Sequence, residues 1–205
     1  MAKRSAPEVN AGSMADIAFL LLIFFLVTTT VEKDKGILRS LPQIEPPSDD
    51  PVIIKQKNLF TVLLNKNDQL LVEEEQMQVK DLRQAAIEFL DNGGSTDAEG
   101  NKCDYCQGKK DEHSSDHPNK AIITLQHDRE TSYGKYIEVQ NELVAAYNVL
   151  RNREAERLYS TTFTKMMADK DDVYYQGDVD RLKERIKVIK DLFPLKLSEA
   201  EPKSN

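Results

Sequence analysis

From Ile17 to Val27 the chain carries no polar side chain, and the apolar run extends over residues 11–31 if small residues and threonines are counted. At about 1.5 Å per residue that stretch reaches about 31 Å, against a bilayer core of about 30 Å. A membrane-spanning helix is therefore predicted over residues 11–31, after a short tail of residues 1–10. The rival reading is a cleaved signal peptide, because Lys3 and Arg4 precede an apolar core of suitable length. Glu8 and Asp16 sit where such peptides are normally uncharged, and no small-residue cleavage site follows Val27, so the helix is expected to be retained. Its orientation is left open by charge, since Lys3 and Arg4 before it are matched by Lys33, Lys35 and Arg39 after it.

One carboxylate, Asp16, stands at the front edge of this run. A charge one or two turns inside hydrocarbon costs up to about 2.5–3.5 kcal/mol on insertion scales, and less near the interface, so something should offset it. A desolvated carboxyl can exchange a proton near neutral pH, which is the chemistry of a proton relay. On helical spacing Asp16 shares a strip with Ser13, Leu20, Ile23 and Val27, so one face needs a polar cavity in a partner while the rest packs. The plainer reading places Asp16 at the headgroup boundary and makes the helix a simple anchor. Position alone does not choose between them.

The 205 residues leave room for one medium domain beyond the anchor. The whole chain's formal charge of -7 and the absence of a basic stripe argue against a nucleic-acid footprint. Residues 32–57 include LPQIEPPSDDP, an extended, semi-rigid spacer. From residue 58 to 205 the pattern predicts a small two-layer α+β domain. LFTVLLN alternates Phe60, Val62 and Leu64, and NKND and QLLVE complete a hairpin. Val79, Leu82, Ala86, Phe89 and Leu90 follow helical spacing, with Gly93 and Gly94 as a stop. KAIITLQ reads as a strand. Tyr136, Val139, Leu143, Tyr147 and Leu150 mark a long helix after a Thr131 or Ser132 cap. Leu182, Ile186, Ile189 and Phe193 mark a last helix closed by Pro194, after which PLKLSE can add an edge strand. VEEEQ, residues 72–76, reads as a solvated strand end.

Residues 91–119, polar and glycine-rich, are predicted to be an insert that leaves the domain rather than joins its core. They hold Cys103, Cys106, His113 and His117 as C-x2-C-x6-H-x3-H. The steps within each pair suit zinc, whereas the gap between pairs is shorter than in a finger. A C-x-x-C pair can be a local disulfide, a redox pair or half of a metal site, and no thioredoxin-like βαβ context surrounds this one to support a redox enzyme. His127, Asp128 and Arg129 in QHDRE adjoin in sequence, but consecutive residues of a link point different ways. With no glycine-rich phosphate loop and no nucleophile elbow, the chain reads as non-enzymatic, and no cofactor is expected.

The segment VNAGSMADIAFLLLIFFLVTTTV resembles the start of the ExbD/TolR family, small inner-membrane proteins with a short cytoplasmic tail, one helix and a periplasmic domain. Asp16 falls on that family's membrane aspartate. The likeness extends to Leu41-Pro42, to the hairpin and helix between Phe60 and Leu90, and to AIITLQHDRETSYGKYIEVQNELVAAY. It implies an N-terminus in the cytoplasm, a homodimer embedded in lipid within an ExbB- or TolQ-like channel pentamer, and Asp16 as proton carrier. Motion would pass to a TonB-like or TolA-like protein reaching the outer membrane, with an ExbD-like role in transport favoured over a TolR-like role in envelope integrity. The resemblance also places the cysteines in an oxidising periplasm, which favours a disulfide between Cys103 and Cys106 over a metal site. The insert 91–119 and the long helical region after Tyr136 depart from the compact members of that family.

Overall fold

The computed structural model describes residues 11–28 and 55–200. The chain divides into two compact units, residues 1–50 and 51–205. The first contains α1, Ala11–Thr28, an 18-residue helix. It is long and apolar enough to cross a membrane, with a mean hydropathy of 2.1 and none of its residues buried. The last three residues of the expected span and the spacer up to residue 54 lie outside the described residues.

The first element described in the second unit is a 3-10 turn, Gln56–Asn58. Then come β1 (Leu59–Leu64), β2 (Leu70–Val72), β3 (Glu75–Met77), α2 (Val79–Leu90), β4 (Ile122–His127), α3 (Tyr133–Tyr159), α4 (Phe163–Asp171), α5 (Val179–Leu192) and β5 (Leu197–Glu199). The sheet order is β3-β2-β1-β4-β5. β1 pairs antiparallel with β2 and parallel with β4, where the register runs from Leu59 opposite Ile122 to Leu64 opposite His127.

Alternation does the work in the strands. Phe60, Val62 and Leu64 on β1 and Ile123 and Leu125 on β4 are buried against Leu82, Ala86 and Phe89 of α2 and Val139, Leu143 and Tyr147 of α3. Their neighbours Leu59, Thr61 and Leu63 face the opposite side and stay half-exposed. The fold is thus the two-layer α+β arrangement expected, with helices on one sheet face. A second, smaller cluster joins Ala155 of α3 to Phe163 and Met166 of α4 and to Leu182, Ile186 and Ile189 of α5. Phe193 closes α5 ahead of Pro194, and β5 adds in parallel to β4 as the last strand.

Two expectations are corrected. VEEEQ is solvated from Glu73 to Gln76 and starts at the end of β2, but it goes on through a two-residue turn into β3, with Glu73 at φ 49° and Glu74 at φ 70°. Such a turn ordinarily uses Asn or Gly. Here the Glu73 carboxylate accepts from the Thr61 amide at 2.6 Å, and the Glu73 amide donates back to Thr61 O at 3.1 Å, which offsets the left-handed backbone. Residues 91–119, secondly, do not leave the domain. Asp91, Asn92, Cys103, Cys106, Ser115, Asp116 and His117 are all buried. Polar composition misleads there because the segment packs through paired polar groups rather than through apolar ones.

Candidate functional site

Asp16 is the sixth residue of α1 and its one charged residue. At about 1.5 Å per residue it lies about 7.5 Å along the axis from Ala11, with roughly three turns of apolar helix still to come. Ser13 precedes it by three residues and Leu20 follows by four, so a polar start gives way to an aliphatic strip through Ile23 and Val27. Thr28 turns its hydroxyl back to Phe24 O at 2.7 Å, hiding a polar group within the helix itself. Asp16 is exposed in its own unit. Among the described residues none bonds its carboxylate, which is open to whatever surrounds α1.

The structure scatters the other sequence candidates. Cys103 and Cys106 form a disulfide, which commits both sulfurs. His113 is exposed, whereas His117 is buried, accepts from the Asn119 amide at Nδ1 and stacks edge-on against Tyr105. Among the described residues no group of three or more metal-ligating side chains converges. The disulfide lies under Gly93 at φ 61°, where a Cβ would stand 2.7 Å from Cys106 Cβ, so glycine is required at that crossing. His127 turns to Asp128 O at 3.0 Å and packs its ring on Tyr136, away from any common centre with Arg129.

What sequence reasoning missed is a buried polar joint around Asp116. Its carboxylate takes Lys57 Nζ at 2.6 Å, Asn58 Nδ2 at 3.1 Å and Lys55 Nζ at 3.5 Å, and its amide donates to Asn58 Oδ1 at 2.7 Å. Burial would push this carboxyl up, but hydrogen bonds from Lys57 and Asn58 with the charges of Lys57 and Lys55 outweigh it and hold it below the usual carboxylate range. A second joint ties Asp91 to Arg153 of α3 through two bonds at 2.6 and 2.8 Å, the two-pronged geometry in which arginine binds carboxylates most strongly. No local signal announces either joint, since the partners lie 58 and 62 residues apart.

Comparison with known proteins places this geometry. The family described as biopolymer transport protein ExbD/TolR matches residues 2–152, which takes in α1, the sheet as far as β4 and most of α3. A biopolymer transport protein named exbD2 from Vibrio cholerae serotype O1 is 30% identical over 88 residues, covering 43% of this chain. The match spans 61% of that relative's length. The α4–α5 hairpin lies beyond the family match, in keeping with the long helical region noted in the sequence. With its membrane-length helix bearing one aspartate, followed by a small α+β domain, the chain belongs to the ExbD/TolR family.

Proposed function

We propose that this chain is a non-enzymatic subunit of an ion-driven motor in the inner membrane, coupling the proton gradient to outer-membrane transport through a TonB-like partner. Asp16 carries the proton. The protein crosses the membrane once, with residues 1–10 in the cytoplasm and residues 58–205 in the periplasm, and it works as a homodimer inside an ExbB- or TolQ-like channel pentamer. Membership of a family of biopolymer transport proteins supports the coarse reading. The observation that carries the finer one is a lone carboxylate on a helix that buries nothing of its own. In such a setting an acid persists because it is used. One charge moved through the membrane field is worth about 2.3 kcal/mol per 100 mV, and that work is available only to a group that alternates between loaded and empty states. Asparagine matches aspartate in size and cannot make that cycle.

The test compares energised outer-membrane uptake in cells carrying wild-type protein or Asp16→Asn, with membrane insertion and copurification of the channel partner measured in the same samples. Normal assembly with abolished uptake is the expected result. Normal uptake with asparagine would overturn the motor reading and leave a membrane-anchored periplasmic binding or scaffolding domain in its place.

A further inference from the structure

We infer that Asp116 is the positioning residue through which pull along the chain from the membrane segment enters the soluble domain, with residues 91–119 acting as a strap across the start of β1. The inference rests on the motor reading and names where its force is received. The chain reaches β1 through residues 55–58, and three of those four side chains, Lys55, Lys57 and Asn58, hold one carboxylate. Asp116 is 1% exposed, and Asn58, held at Nδ2 by its carboxylate and at Oδ1 by its amide, is 4% exposed. Lys57 Nζ also donates to Glu112 O at 2.8 Å, so the strap holds it twice.

Mechanics gives the joint its meaning. β1 is a central strand, paired along its length with β4, and tension at its first residue would load that ladder directly. Gripping the two residues before the strand diverts the load. From Asp116 the strap continues through the Ser95 amide bonded to Asp116 O at 2.9 Å and through Asn92, which donates to Ser115 O at 2.7 Å and Asp111 O at 2.8 Å. It ends on Asp91, bound to Arg153 of α3. Tension applied at Lys57 thus has a polar route to α3 that does not cross the sheet. Covalent closure between Cys103 and Cys106 shortens the loop that the strap must hold.

The experiment measures hydrogen exchange on the full chain in lipid nanodiscs, and energised uptake in cells, for Asp116→Asn, for Lys57→Met and for Leu182→Ala. The lysine variant guards against misfolding caused by the buried substitution. Leu182→Ala destabilises the second apolar cluster away from the strap. For both strap variants, exchange over residues 58–62 is expected to rise about tenfold or more, as for loss of a charged hydrogen bond, while α3 near Leu143 keeps its protection. Uptake is expected to fall with both strap variants and to survive Leu182→Ala at an equal loss of Tm. Uniform or unchanged exchange, or uptake that simply tracks Tm across the three variants, would overturn the strap. Asp16→Asn in the same strain separates the two claims. Uptake lost with Asp16→Asn but kept with both strap variants removes the strap alone, whereas uptake kept with Asp16→Asn removes the motor reading beneath it.

Discussion

Every residue of α1 is exposed in its unit, with Phe19, Leu22 and Phe25 near 60%, whereas Leu82, Ile123 and Leu143 in the second unit are wholly buried. Both regions are rich in aliphatic side chains. In the domain each apolar face meets another face of the same chain, alternate residues of the strands against one stripe of each helix. α1 is apolar nearly all round and none of its residues is buried, the pattern of a helix whose solvent is lipid or other helices. The lesson concerns where completeness lies. The domain closes on itself, whereas α1 leaves every side chain exposed, Asp16 among them.

The same substitution made in each region should break or uphold that contrast most forcefully. Leu143→Ala removes a fully buried side chain between α3 and the sheet, and a loss of about 2–5 kcal/mol in domain stability is expected from thermal or denaturant unfolding. Leu22→Ala on α1 should leave the domain's Tm where it was, and weaken copurification with channel partners instead. A drop in domain Tm from Leu22→Ala would mean that α1 is part of the domain's own core.

How far all this could be read in advance follows the same division. α3 was legible because Tyr136, Val139, Leu143, Tyr147 and Leu150 repeat at helical spacing behind Ser132, and those same positions pack on the sheet. α5 and β5 were legible for like reasons, including the stop at Pro194. β3 was hidden because a Glu-Glu pair carries none of the usual turn chemistry. α4 was hidden because nine residues with only Phe163 and Met166 buried leave too short a period to read. Residues 91–119 were misjudged because Asp116 is satisfied by Lys57 and Asn58, far back in the sequence. Asp16 stood out at once as a charge in an apolar run.

Acid should probe the strap next, with a smaller effect than core truncation. Burial keeps His117 below its ordinary value, against the opposing influence of Asn119 and Asp97, so its folded pKa is depressed. Stability from a depressed group is complete above the unfolded pKa and is lost as pH falls through the folded one. For His117 the loss begins below about pH 6.5, and for Asp116, also depressed, below about pH 3.9, taking ordinary values for the unfolded chain. Tm of the full chain in nanodiscs should therefore decline in two stages. Asp116→Asn should shrink the lower stage, to which the depressed carboxyls of Asp68, Glu88 and Asp97 also contribute, and leave the upper one, whereas His117→Gln should remove the upper stage and leave the lower. A single stage unaffected by either change would show that the strap does not sense these protons.

The smallest effect sharpens the contrast at the level of a single helix end. Three of the domain's described α-helices start on a side-chain cap, α2 being without one: Ser132 accepts from the Lys135 amide, Thr162 from Lys165, and Asp178 from Asp180 and Arg181. The Ser132 amide in turn donates to Asp68 at 2.9 Å, pinning the start of α3 to the turn between β1 and β2. Ser132→Ala removes the cap but keeps that amide bond, so a loss of about 1 kcal/mol is expected, with exchange raised only in the first turn of α3. A loss several times larger would mean that Ser132 organises the β1–β2 turn as well as the helix, and the domain's self-sufficiency would then hang on fewer contacts than its core suggests. A helix end that closes locally is what a self-contained domain requires, and α1 buries no side chain at all in its own unit.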